Sequence, residues 1–142
     1  MRFVLLALPL LAMAGLAYIR LAPSDPEDWH VDPADGQTGP GKAHARLDLA
    51  GETPEQALTR LDAIAMATPR TIRLAGSVEE GRVTYITRSA AFGFPDYTTV
   101  GAQPKKGGTV IDAFGRLRFG KYDLDVNAKR INGWLRALQA DV

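Results

Sequence analysis

The chain has 142 residues, no cysteine, and 17 Lys plus Arg against 16 Asp plus Glu, a formal net charge of +1. Absence of cysteine excludes disulfides, thiolate metal sites, cysteine nucleophiles and lipidated cysteine, and the near-neutral balance argues against a nucleic-acid partner. A hydrophobic content of 46% with 23% charged residues is that of an ordinary globular domain, and the length allows one such domain with appendages.

Residues 3–19 are almost wholly apolar, and extension to Ala22 admits only Arg20. A helix over residues 3–22 reaches about 30 Å at ~1.5 Å per residue, the thickness of a hydrocarbon core. Arg20 is placed to snorkel, Tyr18 is an interfacial residue type, and Pro9 is tolerated in a membrane helix. Residues 1–22 therefore read as a transmembrane anchor in contact with membrane lipid. A signal peptide cleaved after Ala12-Met13-Ala14 is the competing reading. The apolar run continues past that site through Leu16, Ala17 and Ile19, which favours the uncleaved anchor. Arg2 precedes the span and acids follow Arg20, so the positive-inside rule puts the N-terminus in the cytoplasm. The expectation is a single-pass inner-membrane protein with a periplasmic domain.

Residues 23–42 read as a linker. Pro23, Pro26, Pro33 and Pro40, with Gly36, Gly39 and Gly41, deny it helix and central strand. It carries five acids, Asp25, Glu27, Asp28, Asp32 and Asp35, and no base before Lys42. Trp29 is out of place in a flexible tether, and packing of this stretch onto the fold is preferred to docking in the membrane interface. His30, Asp32 and His44 match no metal-ligand spacing, so no metal or cofactor is assigned.

Residues 43–142 form the domain. Residues 43–49 alternate as a short strand. Thr53, Pro54 and Gln56 give an N-cap, a first-turn proline and a capping box. The helix they open places Leu58, Leu61, Ile64 and Ala65 on one face, with Arg60 and Asp62 pointing away, and Pro69 stops it. Strands follow at 71–74, 82–89, 97–102 and 109–114, with Lys105 and Lys106 at an exposed hairpin tip. Residues 116–119 either continue the last strand past a bulge at Gly115 or leave the sheet there. Asp123 or Asp125 caps a final amphipathic helix carrying Val126, Arg130, Ile131, Trp134, Leu135 and Leu138. The order β-α-β-β-β-β-α predicts an α+β domain: an antiparallel sheet of about five strands with two helices on one face.

Two stretches, residues 92–100 and 111–135, carry a resemblance to a known family. Phe94-Pro95-Asp96, then Asp112, Arg116, Arg118, Gly120, Asp123, Leu124, Val126, Asn127, Arg130, Ile131, Trp134 and Leu135 resemble the bacterial and plant family catalogued as domain of unknown function 1499 (DUF1499). The apolar start followed by residues 21–26 and 29–33 is similar to alphaproteobacterial members. The chain departs from the family pattern at Phe114-Gly115, where the pattern has Arg-Ser, at Leu117, where it has Ser, and at Tyr122 and Asp125, where it has Ser and Gly. Chemistry by hydroxyls at those positions has no support. The resemblance implies a fold and no activity.

The residues offer three functional readings. The first is a binding or accessory module. Arg116 and Arg118 alternate on a strand and so share a face. With Lys121, Arg130 and a helix N-terminus beside them they are candidates for a small anionic ligand or a protein partner. The second is a structural or assembly partner of an inner-membrane complex. The third is a hydrolase-type enzyme using Asp96, Asp112 and Asp123 as acid and base. No nucleophile motif, phosphate loop or dinucleotide fingerprint is present, so no residue is assigned a catalytic role. Asp123, Asn127 and Trp134 are read as a structural corner, joined by Arg130.

Overall fold

The computed structural model describes residues 2–140, and side chains from residue 7 to 140. The positive-inside reading of Arg2 lies outside the described side chains. A 20-residue helix, α1 (Arg2–Leu21), leads into a short helix, α2 (Pro26–Trp29), and a 3₁₀ turn at Pro33–Asp35. Then come β1 (Lys42–Ala50), α3 (Pro54–Ala67), β2 (Thr71–Ser77), β3 (Arg82–Arg88), β4 (Pro95–Lys105), β5 (Gly108–Leu117) and α4 (Val126–Ala140). Among the described residues, no helix is long and apolar enough to cross a membrane.

The expected α+β architecture is present: one five-stranded, wholly antiparallel sheet in the order β1-β5-β4-β3-β2. α3 begins as its sequence dictates. Thr53 Oγ1 accepts from the Gln56 N–H at 3.2 Å, and Gln56 Oε1 accepts from the Thr53 N–H at 3.0 Å. Leu58 and Leu61 of α3 and Ile131 and Leu138 of α4 close over Val83, Tyr85, Val100 and Ile111 to form the core. Trp134 stacks edge-on against Tyr85 at 5.6 Å and donates its indole N–H to Thr68 Oγ1 at 2.8 Å. It thus ties α4 to the end of α3.

Two sequence expectations for the domain change. Asp62 does not point away from the core. It is buried one turn after Leu58, where it accepts a hydrogen bond from Tyr85 Oη at 2.8 Å and pairs with Arg73 of β2. The arginine neutralises a carboxylate that helical spacing alone would leave in an apolar stripe. The last strand neither bulges nor leaves the sheet at Gly115; its pairing with β4 is unbroken from Leu117 opposite Asp96 to Gly108 opposite Lys105. Glycine is needed there for another reason. A Cβ at position 115 would lie 2.9 Å from Asn127 Oδ1, so the bare backbone makes room for α4.

The second face of the sheet is covered by residues 22–38, which form a strap. Trp29 stacks on Tyr97 at 3.8 Å with the rings 10° apart. Pro33 is buried against Gly101, where a Cβ would stand 2.9 Å from its Cγ. His30 Nδ1 hydrogen-bonds Thr84 Oγ1 at 2.8 Å, and Arg82 pairs with Asp32 at 3.2 Å. The prolines and glycines predict no helix here; instead Pro26 and Pro33 each open a short helical turn capped by Asp25 and Asp32, and the stretch is a packed layer.

All strand ends near residues 42, 71, 88, 95 and 117 lie at one end of the sheet, here the foot, and the hairpin at Gly107 lies at the other. α1 ends at the foot. Tyr18 meets Phe119 edge-on at 6.0 Å, and Arg20 Nε donates to the Phe92 carbonyl at 3.3 Å.

Candidate functional site

The corner between β5 and α4 is built from one connected polar chain. Asp123 accepts hydrogen bonds from the backbone N–H of Asp125 at 3.2 Å and of Asn127 at 2.8 Å, and from Asn127 Nδ2 at 2.8 Å. It satisfies donors that a helix start leaves open. Burial pushes its carboxyl up, but these hydrogen bonds outweigh that effect and hold it below the ordinary range. Asn127, wholly buried, accepts from Arg130 Nη1 at 2.9 Å, and Arg130 pairs with Asp96 at 3.2 Å. Burial pushes the Asp96 carboxyl above its ordinary range against the pull of Arg130. Beside this chain lies a groove of about 390 Å³, with Phe94, Leu117, Phe119, Tyr122 and Leu124 on its walls and Asp96 and Asp123 among its lining.

Leu124 and Asp125 both adopt left-handed backbone, with φ of 52° and 62°. That is the region where glycine costs nothing and Asp is tolerated. Leu124 pays for the same geometry with no packing in return, since its side chain is 85% exposed.

The four cationic candidates do not converge. Arg116 and Arg118 do share a face, but it is the face under the strap. Arg116 is 4% exposed. It donates to Thr99 Oγ1 and to the Phe114 carbonyl, both at 3.1 Å, and to the Trp29 carbonyl. Its guanidinium sits 4.9 Å from the Phe114 ring centroid and 5.7 Å from that of Trp29. Burial lowers it to about 10, so it stays charged at neutral pH with carbonyls and rings in place of a carboxylate. Arg118 donates to the Pro23 carbonyl at 2.8 Å and to Tyr97 Oη at 3.1 Å, which fixes the start of the strap. Arg130 lies on the opposite, helix-covered face with Asp96. Lys121 is exposed in the loop, 5.7 Å from the Tyr122 ring centroid.

The three carboxylates divide likewise. Asp96 and Asp123 belong to the corner. Asp112 is on the strap side, held by His44 Nε2 at 2.9 Å and by Arg46 at 2.9 and 3.0 Å. Leu117, the partner of Asp96, is five residues from Asp112 on β5, a separation of about 16 Å at ~3.3 Å per residue. Asp96 and Asp112 therefore share no substrate position. Trp134 lies away from the corner, two helical turns along α4 on Tyr85. His30, Asp32 and His44 each have a different partner, Thr84, Arg82 and Asp112.

Sequence reasoning missed a different set, Arg20, Arg70 and Arg88. The fold brings them together at the foot around an open groove of about 760 Å³. Each stood in the sequence as an isolated element-end cation. Only the pairing of β2 with β3, and the return of α1 to residues 91–92, joins them.

A five-stranded antiparallel sheet with two helices on one face, a strap on the other and an Asp96–Arg130–Asn127–Asp123 corner defines a small α+β domain of one kind. The chain belongs to the family described as Protein of unknown function (DUF1499), which matches residues 19–138. The match begins ahead of the strap, which is therefore inside the family's unit. A crystal structure of a Mesorhizobium loti protein is similar, with 12% identity, a TM-score of 0.53, and coverage of 70% of this chain and 94% of that one. A Nitrosospira multiformis protein aligns at 12% identity and a TM-score of 0.45, over 70% of this chain and 92% of that one. These likenesses concern the fold alone. No curated protein matches the sequence.

Proposed function

We propose that the protein is a membrane-tethered envelope domain that works as a binding or accessory module, with α1 in the inner membrane, the N-terminus in the cytoplasm and the domain in the periplasm. The surface of α1 carries this reading. Leu8, Leu10, Leu11, Met13 and Tyr18 are each more than half exposed, all round a helix that among the described residues meets the fold through its last turn, at Tyr18, Ile19 and Arg20. An apolar helix of that kind is stable in lipid and a liability in water. Over 20 residues its backbone reaches about 30 Å; its described residues alone do not make a span, and the apolar sequence at residues 3–6 supports the reading as well.

The accessory role rests on how the polar groups are spent. Asp62, Asp96, Asp112 and Asp123 each hold a cap or an ion pair inside the fold. The general acid–base pair that hydrolysis needs has no common site. The anionic-ligand reading passes from Arg116, which is enclosed, to the cations at the foot.

The test is fractionation of cells carrying the full chain. Tethered protein stays in the membrane pellet through an alkaline carbonate wash, and protease admitted to the periplasm digests the domain. Release into the supernatant, or protection from that protease, contradicts the reading.

A further inference from the structure

The foot groove lies between the end of α3, the start of β2 and the loop at 89–94. Arg20, Arg70 and Arg88 line it, and Met66, Ile72 and Ile86 form its apolar wall. The three guanidiniums are fixed by main-chain carbonyls. Arg20 Nε donates to Phe92 O at 3.3 Å, Arg70 Nε to Arg88 O at 2.9 Å, and Arg88 Nη1 to Gly93 O at 2.9 Å. Among the described residues none of the three pairs with a carboxylate, and no acid lines the groove. Both terminal nitrogens of Arg70 and Nη2 of Arg88 have no hydrogen-bond partner among the described residues. Unspent guanidinium donors held at fixed positions in an acid-free cleft suit a phosphate, which accepts paired N–H groups.

The wall narrows the ligand further. Ile72, second in the edge strand β2, is 57% exposed, and Met66 is 39% exposed in the last turn of α3. A free phosphate gives those side chains nothing to cover. A phosphate joined to acyl chains does. Arg20, one of the three cations, is in the last turn of α1 itself, and Phe92, 52% exposed, stands beside it. Apolar helix, aromatic residue, arginines and apolar wall thus meet at one end of the domain.

We propose that this groove binds the phosphate of an anionic phospholipid headgroup, with the upper acyl carbons against Met66 and Ile72. The inference rests on the tethering reading for its source of lipid, since α1 would deliver the foot to the headgroup layer. The site orients the domain on the bilayer.

The test uses the full chain in neutral detergent, titrated by calorimetry with dihexanoyl phosphatidylglycerol, dihexanoyl phosphatidylcholine and inorganic phosphate. The expected result is saturable binding of the phosphatidylglycerol and none of the choline lipid. Replacing Arg20→Gln and Arg70→Gln together weakens binding by about tenfold or more, and Ile72→Ser weakens lipid binding as well. Equal binding of inorganic phosphate overturns the lipid assignment. Equal binding of both lipids, or binding indifferent to the arginine changes, overturns the groove. Thermal melting checks the fold of each variant. Should the double variant unfold, Arg70→Gln alone decides the question, because its side chain makes a single hydrogen bond, to the Arg88 carbonyl. Carbonate release with phosphatidylglycerol binding intact would remove the tether and leave the groove.

Discussion

At the scale of single residues, Arg116 shows how a cation can be structural without an anion. Its charge is met by two carbonyls, a hydroxyl and two aromatic faces, one of them the face of Trp29 in the strap. Truncation removes three charge-assisted hydrogen bonds, leaves Trp29 O with only the one from Thr99 Oγ1 at 3.2 Å, and opens a void beneath the indole. Arg116→Ala is therefore expected to cost about 2–4 kcal/mol, read as a lower urea midpoint at unchanged slope. A change within about 0.5 kcal/mol, the range of ordinary surface substitutions, would return Arg116 to the surface role suggested by strand alternation. That alternation was legible in the sequence: Arg116 and Arg118 do share a face. What covers the face was not, because Trp29 and Arg116 are 87 residues apart and no local pattern reports such a contact. Asp62 differs: spacing four after Leu58 puts it on the buried face, and what the sequence hid is the pair of groups that satisfies it there. Its partners Arg73 and Tyr85 come from strands that pair only in the folded sheet.

Among the elements, those with complete local signals were read correctly, as at α3 with its Thr53–Gln56 capping box and at the β4–β5 hairpin. The strap was half legible: Trp29 marked it as packed, while its prolines and glycines concealed that it forms a layer. Its chemistry predicts a response to pH. Burial and then Arg82, with a smaller contribution from Arg116, hold His30 below its ordinary 6.5, while Glu80 pulls the other way. The released strap therefore takes up a proton before the docked one does. Docking is fully supported above about 6.5, the ordinary histidine value, and support is lost as pH falls through the window below it. Amide exchange at His30 and Gly36, corrected for intrinsic rates, should accelerate between pH 7.5 and 5.5. His30→Gln should flatten that dependence. An undiminished pH response in the variant would assign it to another group.

At the scale of the whole molecule the two ends of the sheet differ in kind. The foot gathers α1, the groove with Arg20, Arg70 and Arg88, and the exposed Phe92, Tyr122 and Leu124. The hairpin end offers Lys105 paired with Asp48 at 2.8 Å and the exposed Lys106. β4 spans 11 residues between them, about 36 Å at ~3.3 Å per residue. Leu124 fits this polarity. Its left-handed backbone is set by the Asp123 cap on either side of it, and its side chain, 85% exposed, is turned outward at the foot. The corner sequence was legible as a fold signature, and its Asp123–Asn127 cap follows from local spacing. The foot was not legible, because it is assembled from the ends of elements far apart in the chain.

With α1 in the membrane as proposed, the strap joins it to the sheet closely enough for the domain to sit foot-down on the bilayer rather than swing on a tether. The absence of cysteine makes single spin labels at Phe92→Cys and Lys106→Cys unambiguous. In vesicles containing anionic lipid, the label at position 92 should be relaxed more by oxygen, which concentrates in lipid, than by a water-soluble nickel complex. The label at position 106 should show the reverse. Equal exposure of both labels to the nickel complex would contradict the account.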